Sequence, residues 1–225
     1  MSEYAIRPIA HIRCDLKEKF GVPRQAGIVE ALEGRIVFEP EFRDPEALRG
    51  MEGFSHLWLI WQFSEAVRQD WSPTVRPPRL GGNTRLGVFA TRSPFRPNAL
   101  GLSCVRLLGL ERDGELGTVL RVGGADLMDG TPIYDIKPYV PYADCRPEAR
   151  SGFAPDAGKS LAVDFPPELL ERVPPEKREG LLGVLARDPR PRYQNDPERL
   201  YGLRFGEQNV KFTVDGDRLT VREVE

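Results

Sequence analysis

Between Trp71 and Arg106 the chain reads WSPTVRPPRLGGNTRLGVFATRSPFRPNALGLSCVR. Its five prolines, Pro73, Pro77, Pro78, Pro94 and Pro97, fix φ and remove backbone donors, so neither a continuous helix nor a central strand can run through it. Gly81, Gly82 and Gly87 add positions that tolerate positive φ and close approach of a ligand. Much of the stretch must be ordered loop. A loop of this length needs regular elements to hold it, and in a compact domain such loops usually serve a site. It carries six arginines (Arg76, Arg79, Arg85, Arg92, Arg96 and Arg106) and no Asp or Glu, although the chain has a net charge of -2. That local excess of positive charge suits an anionic ligand; a solvated arginine-rich surface is the plainer alternative.

The elements that could hold the loop are strands. β-Branched and aromatic residues predict strands around Tyr4–Arg13, with Pro8 as an edge or bulge position, and at Arg35–Glu39, Leu86–Thr91, Leu100–Leu110, Gly117–Val122 and Thr131–Lys137. FSHLWLIWQF (Phe54–Phe63) is bulky on successive residues and reads as a strand buried on both faces, with His56 as a hydrogen-bonded core histidine. Only one short helix is expected among them, after an Asp44 cap and Pro45. A mainly β fold closing into a barrel buries such a set without long free edges. Asp15–Glu30, charged and then interrupted by Gly21, Pro23 and Gly27, reads as a loop able to cover a site. Around Ala143 the sequence turns small and polar, marking a linker. Beyond it, a helix from Pro175 to before Pro189 and a hairpin about Asp215-Gly216 predict a small α+β unit. Domains of residues 1–144 and 145–225 are therefore expected.

At 225 residues, 40% apolar and 29% charged, the chain can bury a substantial core. A pI near 5.9 excludes indiscriminate coating of nucleic acid and leaves room for a focused basic face. Cys14, Cys104 and Cys145, with only His11 and His56 as imidazoles, offer neither a disulfide framework nor a metal site. The N-terminus lacks the apolar core of a secretory signal, and LWLIW is far too short to span a membrane, so a cytoplasmic location is expected.

GxGxxG after a strand, GxxxxGK[ST], GxSxG and HExxH are all missing, which removes the usual dinucleotide, triphosphate, hydrolase and zinc-protease readings. What remains is a Gly-punctuated acidic turn, GGADLMDGTPIYDIKPY (Gly123–Tyr139). Asp129-Gly130 is ordinary turn chemistry, whereas Asp126 has no evident turn role and is the better site candidate. An Arg-rich loop beside an acidic turn would suit a zwitterionic ligand.

KEKFGVPRQAG (Lys17–Gly27), FSHLWL (Phe54–Leu59), RPPRLGGNTRLGVFATRSPFRPNALGLS (Arg76–Ser103) and DLMDGTPIYDIKPY (Asp126–Tyr139), in this order, closely resemble the TrmO (TsaA-like) family. These are S-adenosylmethionine-dependent tRNA methyltransferases, and the resemblance returns at DPRPRY (Asp188–Tyr193). It implies a non-Rossmann β-barrel methyltransferase domain, active as a homodimer with the donor near the subunit interface. The implied reaction methylates N6 of threonylcarbamoyladenosine at position 37, beside the tRNA anticodon.

Carried over by position, the donor contacts fall on Pro23, Arg24, Gln25, Ser64, Glu65, Arg92, Leu102, Asp126, Leu127, Met128 and Asp129, with Asp126 and Arg92 catalytic. Ser64 stands where many members have a His. Asp126 could take the acceptor's proton or bind the donor's ribose or amino group. Arg76, Arg79, Arg85 and Arg96 are expected on anticodon-loop phosphates, with Arg187, Arg190, Arg192 and Arg204 as a second candidate surface. A methyltransferase acting on another acceptor and a non-catalytic RNA-binding module are the competing readings.

Overall fold

The computed structural model describes residues 4–67, 70–191, 194 and 196–225. Its strands in the first half are β1 (Ala10–Cys14), β2 (Glu33–Phe38), β3 (His56–Gln62), β4 (Thr74–Val75), β5 (Leu86–Gly87), β6 (Leu100–Asp113), β7 (Gly117–Gly123) and β8 (Pro132–Pro138). A short helix α1 (Pro141–Asp144) follows. The second half holds β9 (Ala162–Asp164), α2 (Pro167–Leu170), α3 (Pro175–Ala186), β10 (Tyr201–Phe205), β11 (Gln208–Asp215) and β12 (Arg218–Val224).

Six strands of the first half follow one another in the order β1-β2-β7-β6-β3-β8. The expectation of a closed barrel needs correction at its last seam. Strand β8 returns to β1 at only two residue pairs, Ala10↔Ile133 and His11↔Pro132, whereas β3 and β6 share seven. The physical reason is that the Asp126–Thr131 turn occupies the rest of that seam. There Ile12 N donates to Thr131 O (3.2 Å), and Gly130 N donates to Ile12 O (2.8 Å). The circuit is joined by a two-residue seam rather than by a full ladder.

Strand β3 corrects a second expectation. Leu57, Leu59 and Trp61 point into the core while His56, Trp58, Ile60 and Gln62 are only half covered, so one face is buried rather than two. The outer bulk is aromatic: Trp58 packs on Tyr139 with ring centroids 5.8 Å apart and donates from Nε1 to Asp144 Oδ2 (3.0 Å). His56 bonds Ser55 Oγ through Nδ1 (2.9 Å) and meets Tyr139 edge-on. The basic Pro-rich stretch keeps only the two-residue ladder β4·β5, and Val88–Ala90 turns as 3-10 helix instead of continuing the expected strand. Pro45–Leu48 is likewise a 3-10 turn, capped by Asp44 as its sequence predicts.

In the second half a four-stranded sheet, β10-β11-β12-β9, packs under α3, and the hairpin joins β11 to β12 through Gly216 at φ 57°. A mainly β molecule with a small α+β C-terminal part was legible in the pattern. Less expected is the membership of its core: Leu16, Val29 and Leu32, from the first half, are buried together with Leu181, Leu185, Leu203, Phe205 and Phe212. Among the described residues no helix is long and apolar enough to cross a membrane.

Candidate active site

The exit of β3 builds a cavity of about 270 Å³. Trp61 is its inner wall, and Gly101 explains how: a Cβ there would lie 2.3 Å from the indole, so only glycine lets the ring lie flat against β6. Phe63 packs on Trp61 with centroids 4.3 Å apart, and the following 3-10 turn, Ser64–Ala66, sets Ser64 and Glu65 at the rim. Lys19, Phe95, Asp126, Met128 and Thr131 complete the lining.

A short relay fixes the carboxylate. Trp61 Nε1 donates to Ser103 Oγ (2.9 Å), and Ser103 Oγ donates to Asp126 Oδ1 (2.5 Å). Ser103 is buried, so each of these bonds satisfies a polar group that would be costly to leave alone. Burial pushes the Asp126 carboxyl above the ordinary carboxylate range; the Ser103 bond, backbone N–H groups at Asp126 and Ala26, and the positive charge of Arg92 pull against that rise. A half-buried carboxylate held in this way is a proton acceptor of raised basicity.

The loop over the cavity is tied down at its far side. Arg92 donates from Nη1 to Gln25 Oε1, Gln25 donates from Nε2 to Arg24 O, and Lys19 donates from Nζ to Glu65 O (2.5 Å). The Arg92 segment is set by its own turns: Thr91 Oγ1 donates to Val88 O (2.9 Å), and Arg96 Nη1 donates to Thr91 O (3.2 Å). A cation (Lys19) and two carboxylates (Glu65, Asp126) thus line a pocket walled by aromatic rings, with the Arg92 charge acting on Asp126 from the loop, an arrangement whose chemistry suits an amino acid end together with an apolar or cationic body.

Of the residues predicted from sequence, Ser64, Glu65, Asp126 and Met128 line this cavity, and Gln25 joins Arg92 across the loop. Pro23 is buried at the start of the loop and Arg24 is exposed. The others lie elsewhere. Leu127 is in the hydrophobic core, and Leu102 stands 55% exposed on the outer face of β6, since its neighbour Ser103 takes the inner one. Asp129 turns away to accept from Cys14 N (2.9 Å) and Lys17 Nζ (2.9 Å), and lines a separate cleft of about 700 Å³ beside Lys177 and Phe205.

The arginines also divide. Arg76 and Arg85 are exposed at the end of the β4·β5 ladder, while Arg79 is held by Asp156 through its backbone carbonyl and Oδ1 (3.1 Å). Arg190 is buried and chelated by Asp188 at 2.8 and 3.1 Å; Arg192 and Tyr193 lie outside the described residues.

Sequence reasoning missed Ser103, Trp61, Phe63, Phe95 and Lys19. Ser103 carried a signal, being the one hydroxyl among apolar residues in LGLSCV and on the inward face with Gly101 and Val105. It also missed Trp71 and Phe89, which stack at 6.1 Å although 50% and 72% exposed.

With this geometry in place, comparison with known proteins decides the lineage. The tRNA-methyltransferase O N-terminal domain pattern matches residues 11–145, and the TrmO C-terminal domain pattern matches residues 158–225. The chain belongs to the TrmO family. A relative from Escherichia coli K12, named "tRNA (adenine(37)-N6)-methyltransferase", is 42% identical over 223 residues, covering 95% of this chain and 94% of its own. A Pyrococcus abyssi relative named "Probable S-adenosyl-L-methionine-binding protein" is 39% identical, covering 73% of this chain and 91% of its own. The crystal structure of TrmO from Pseudomonas aeruginosa superposes with a TM-score of 0.82 at 36% identity, covering 100% of this chain and 99% of that one.

Proposed function

We propose that this TrmO-family enzyme transfers a methyl group from S-adenosylmethionine to N6 of threonylcarbamoyladenosine at position 37 of tRNA, with the Asp126 cavity as the reacting site. The observation that carries the reading is the Trp61–Ser103–Asp126 relay, which presents a basic carboxylate to a small aromatic cavity rimmed by both charges. The donor set fits: Lys19 in the lining, with Arg92 tied to Gln25 on the covering loop, suits the donor's carboxylate, Glu65 its amino group, and Trp61, Phe63 and Phe95 its adenine and sulfonium. Bound S-adenosylmethionine would supply a methyl on positive sulfur, transferable by simple displacement.

The chain's own work is then alignment and proton removal. Alignment comes from the Arg92–Gln25 and Lys19–Glu65 ties, which hold the 19–25 loop against the cavity. Asp126 takes the N6 proton, which is more acidic than in plain adenosine because the nitrogen also bears a carbamoyl carbonyl. Ser64 lines the rim as a hydroxyl, and among the described residues no imidazole lines this cavity, which leaves Asp126 as the base this reading assigns.

Residues 1–144 form the catalytic part of this reading and residues 145–225 its C-terminal partner. Completion of the site by a second copy in a homodimer belongs to this reading, as the family resemblance implies. Arg76 and Arg85, with the stacked Trp71–Phe89 rings on the same ribbon, are the surface assigned to the anticodon loop, phosphates on the former and an unstacked base on the latter.

Single-turnover methyl transfer by Asp126→Asn tests the central role. A rate loss of about 10²–10⁴, as for removal of a general base, with S-adenosylhomocysteine affinity nearly unchanged is expected. An undiminished rate would remove Asp126 as proton acceptor, and a loss accounted for wholly by weaker product binding would make it a donor-binding residue.

A further inference from the structure

The segment that leads into the candidate donor loop is built into the C-terminal sheet. Strand β10 is the edge of that sheet, and Asp15–Leu16 covers it: Leu16 forms an antiparallel bridge with Phe205, and Gly206 N donates to Asp15 O (2.8 Å). Glu18 Oε1 accepts from Arg204 N (3.3 Å), and Lys177 of α3 donates from Nζ to Asp15 Oδ1 (2.7 Å). The loop beyond is seated on the same unit. A Cβ at Gly21 would lie 2.3 Å from Leu203 Cδ1, and one at Gly183 would lie 2.4 Å from Val29 Cγ1, so glycine at both places permits contact closer than any other residue allows. Pro23, Arg24 and Gln25 lie between these two anchors.

The same Leu16 reaches the acidic turn from its other side. Its carbonyl accepts from Asp129 N (2.8 Å), Cys14 N and Lys17 Nζ donate to the two Asp129 oxygens (2.9 Å each), and Cys14 Sγ donates to Leu127 O (3.4 Å). Asp129, which faces away from the cavity, therefore fixes the turn that presents Asp126 and Met128 to it. One short junction, Cys14–Lys17, spaces both segments that carry donor contacts, and α3 and β10 hold that junction.

We propose that the C-terminal unit positions the methyl-donor site through Asp15, Leu16 and Lys177, with Asp129 as the positioning residue on the turn, so that it governs donor affinity rather than serving only to hold tRNA. The inference rests on the donor-contact assignment above. Its geometry couples two segments through packed and hydrogen-bonded groups, the kind of network through which remote substitutions change affinity.

The test uses the full-length protein, with S-adenosylhomocysteine titrated calorimetrically and tRNA binding followed in parallel. Lys177→Ala, and separately Gly206→Val, which wedges a side chain against Asp15 and Lys177, are expected to weaken the product's affinity by about three- to tenfold, the scale of such coupling. Donor KM rises to match, while kcat at saturating donor and the affinity for tRNA stay as in the wild type. The double charge exchange Asp15→Lys with Lys177→Asp restores most of the affinity, which a merely destabilising lesion would not do. Unchanged product affinity in both folded variants overturns the proposal, as does a loss confined to tRNA binding, which would make the C-terminal unit an RNA-holding module. A wild-type protein that binds no S-adenosylhomocysteine would overturn the donor site itself, and this inference with it.

Discussion

In the proposed mechanism the chemistry of the site rests on one carboxylate and the hydroxyl beside it. Because burial holds the Asp126 pKa above its ordinary value, near 4 for an unperturbed Asp, the rate should rise with pH through that displaced value before levelling off. Ser103 lowers that pKa, so in Ser103→Ala the rising limb of the pH–rate profile should move to higher pH; a limb that stays in place or moves down would break the link. Ser103→Ala also leaves Trp61 Nε1 without its partner, a cost of about 1–3 kcal/mol visible as a lower Tm. The same raised pKa makes the folded state bind a proton more tightly than the unfolded state. Its stabilising contribution is therefore present in full below the unfolded value and fades as pH rises through the folded one. Asp126 was legible as a lone acid without a turn role. Its partner was not, because Ser103 meets it across the sheet and the spacing in sequence says nothing of that.

At the scale of elements, placement of the cavity depends on how closely β3 and β6 approach at Trp61 and Gly101. Gly101→Ala forces the indole to move; overpacking of this sort costs about 1–3 kcal/mol, and the shifted ring should also release Ser103 and reduce methyl transfer. Calorimetric unfolding and turnover together check this, and an unaltered Tm with full activity would contradict it. The β4·β5 ribbon supplies a contrast between neighbours in sequence. Arg85 is exposed while Arg79 is engaged with Asp156, so Arg85→Ala should weaken tRNA binding and lessen its salt slope by about one, whereas Arg79→Ala should leave the slope alone. Equal slopes in the two variants would undo that division. Both arginines look alike in the sequence. What separates them is a contact with Asp156 in the linker, 77 residues away in sequence.

For the molecule as a whole, strands and family motifs were readable because β-branched runs and gap-free motifs are local signals. The membership of the C-terminal core was not, since Leu16, Val29 and Leu32 sit in a segment whose charges and glycines resemble a free loop. A chain cut after residue 144 would leave those three side chains without the partners that bury them, and it should be markedly less soluble than the intact protein; a monodisperse, cooperatively unfolding fragment would refute this. The short β1–β8 seam has the same lesson, because the turn that interrupts it is the one that carries Asp126. Function at this scale is best tested by mass analysis of nucleosides after incubating the purified protein with S-adenosylmethionine and tRNA, one preparation carrying threonylcarbamoyladenosine and one lacking it. The account predicts a gain of one methyl on the modified nucleoside of the first preparation and none on the second. A gain on both, or on neither while the donor binds, would contradict it.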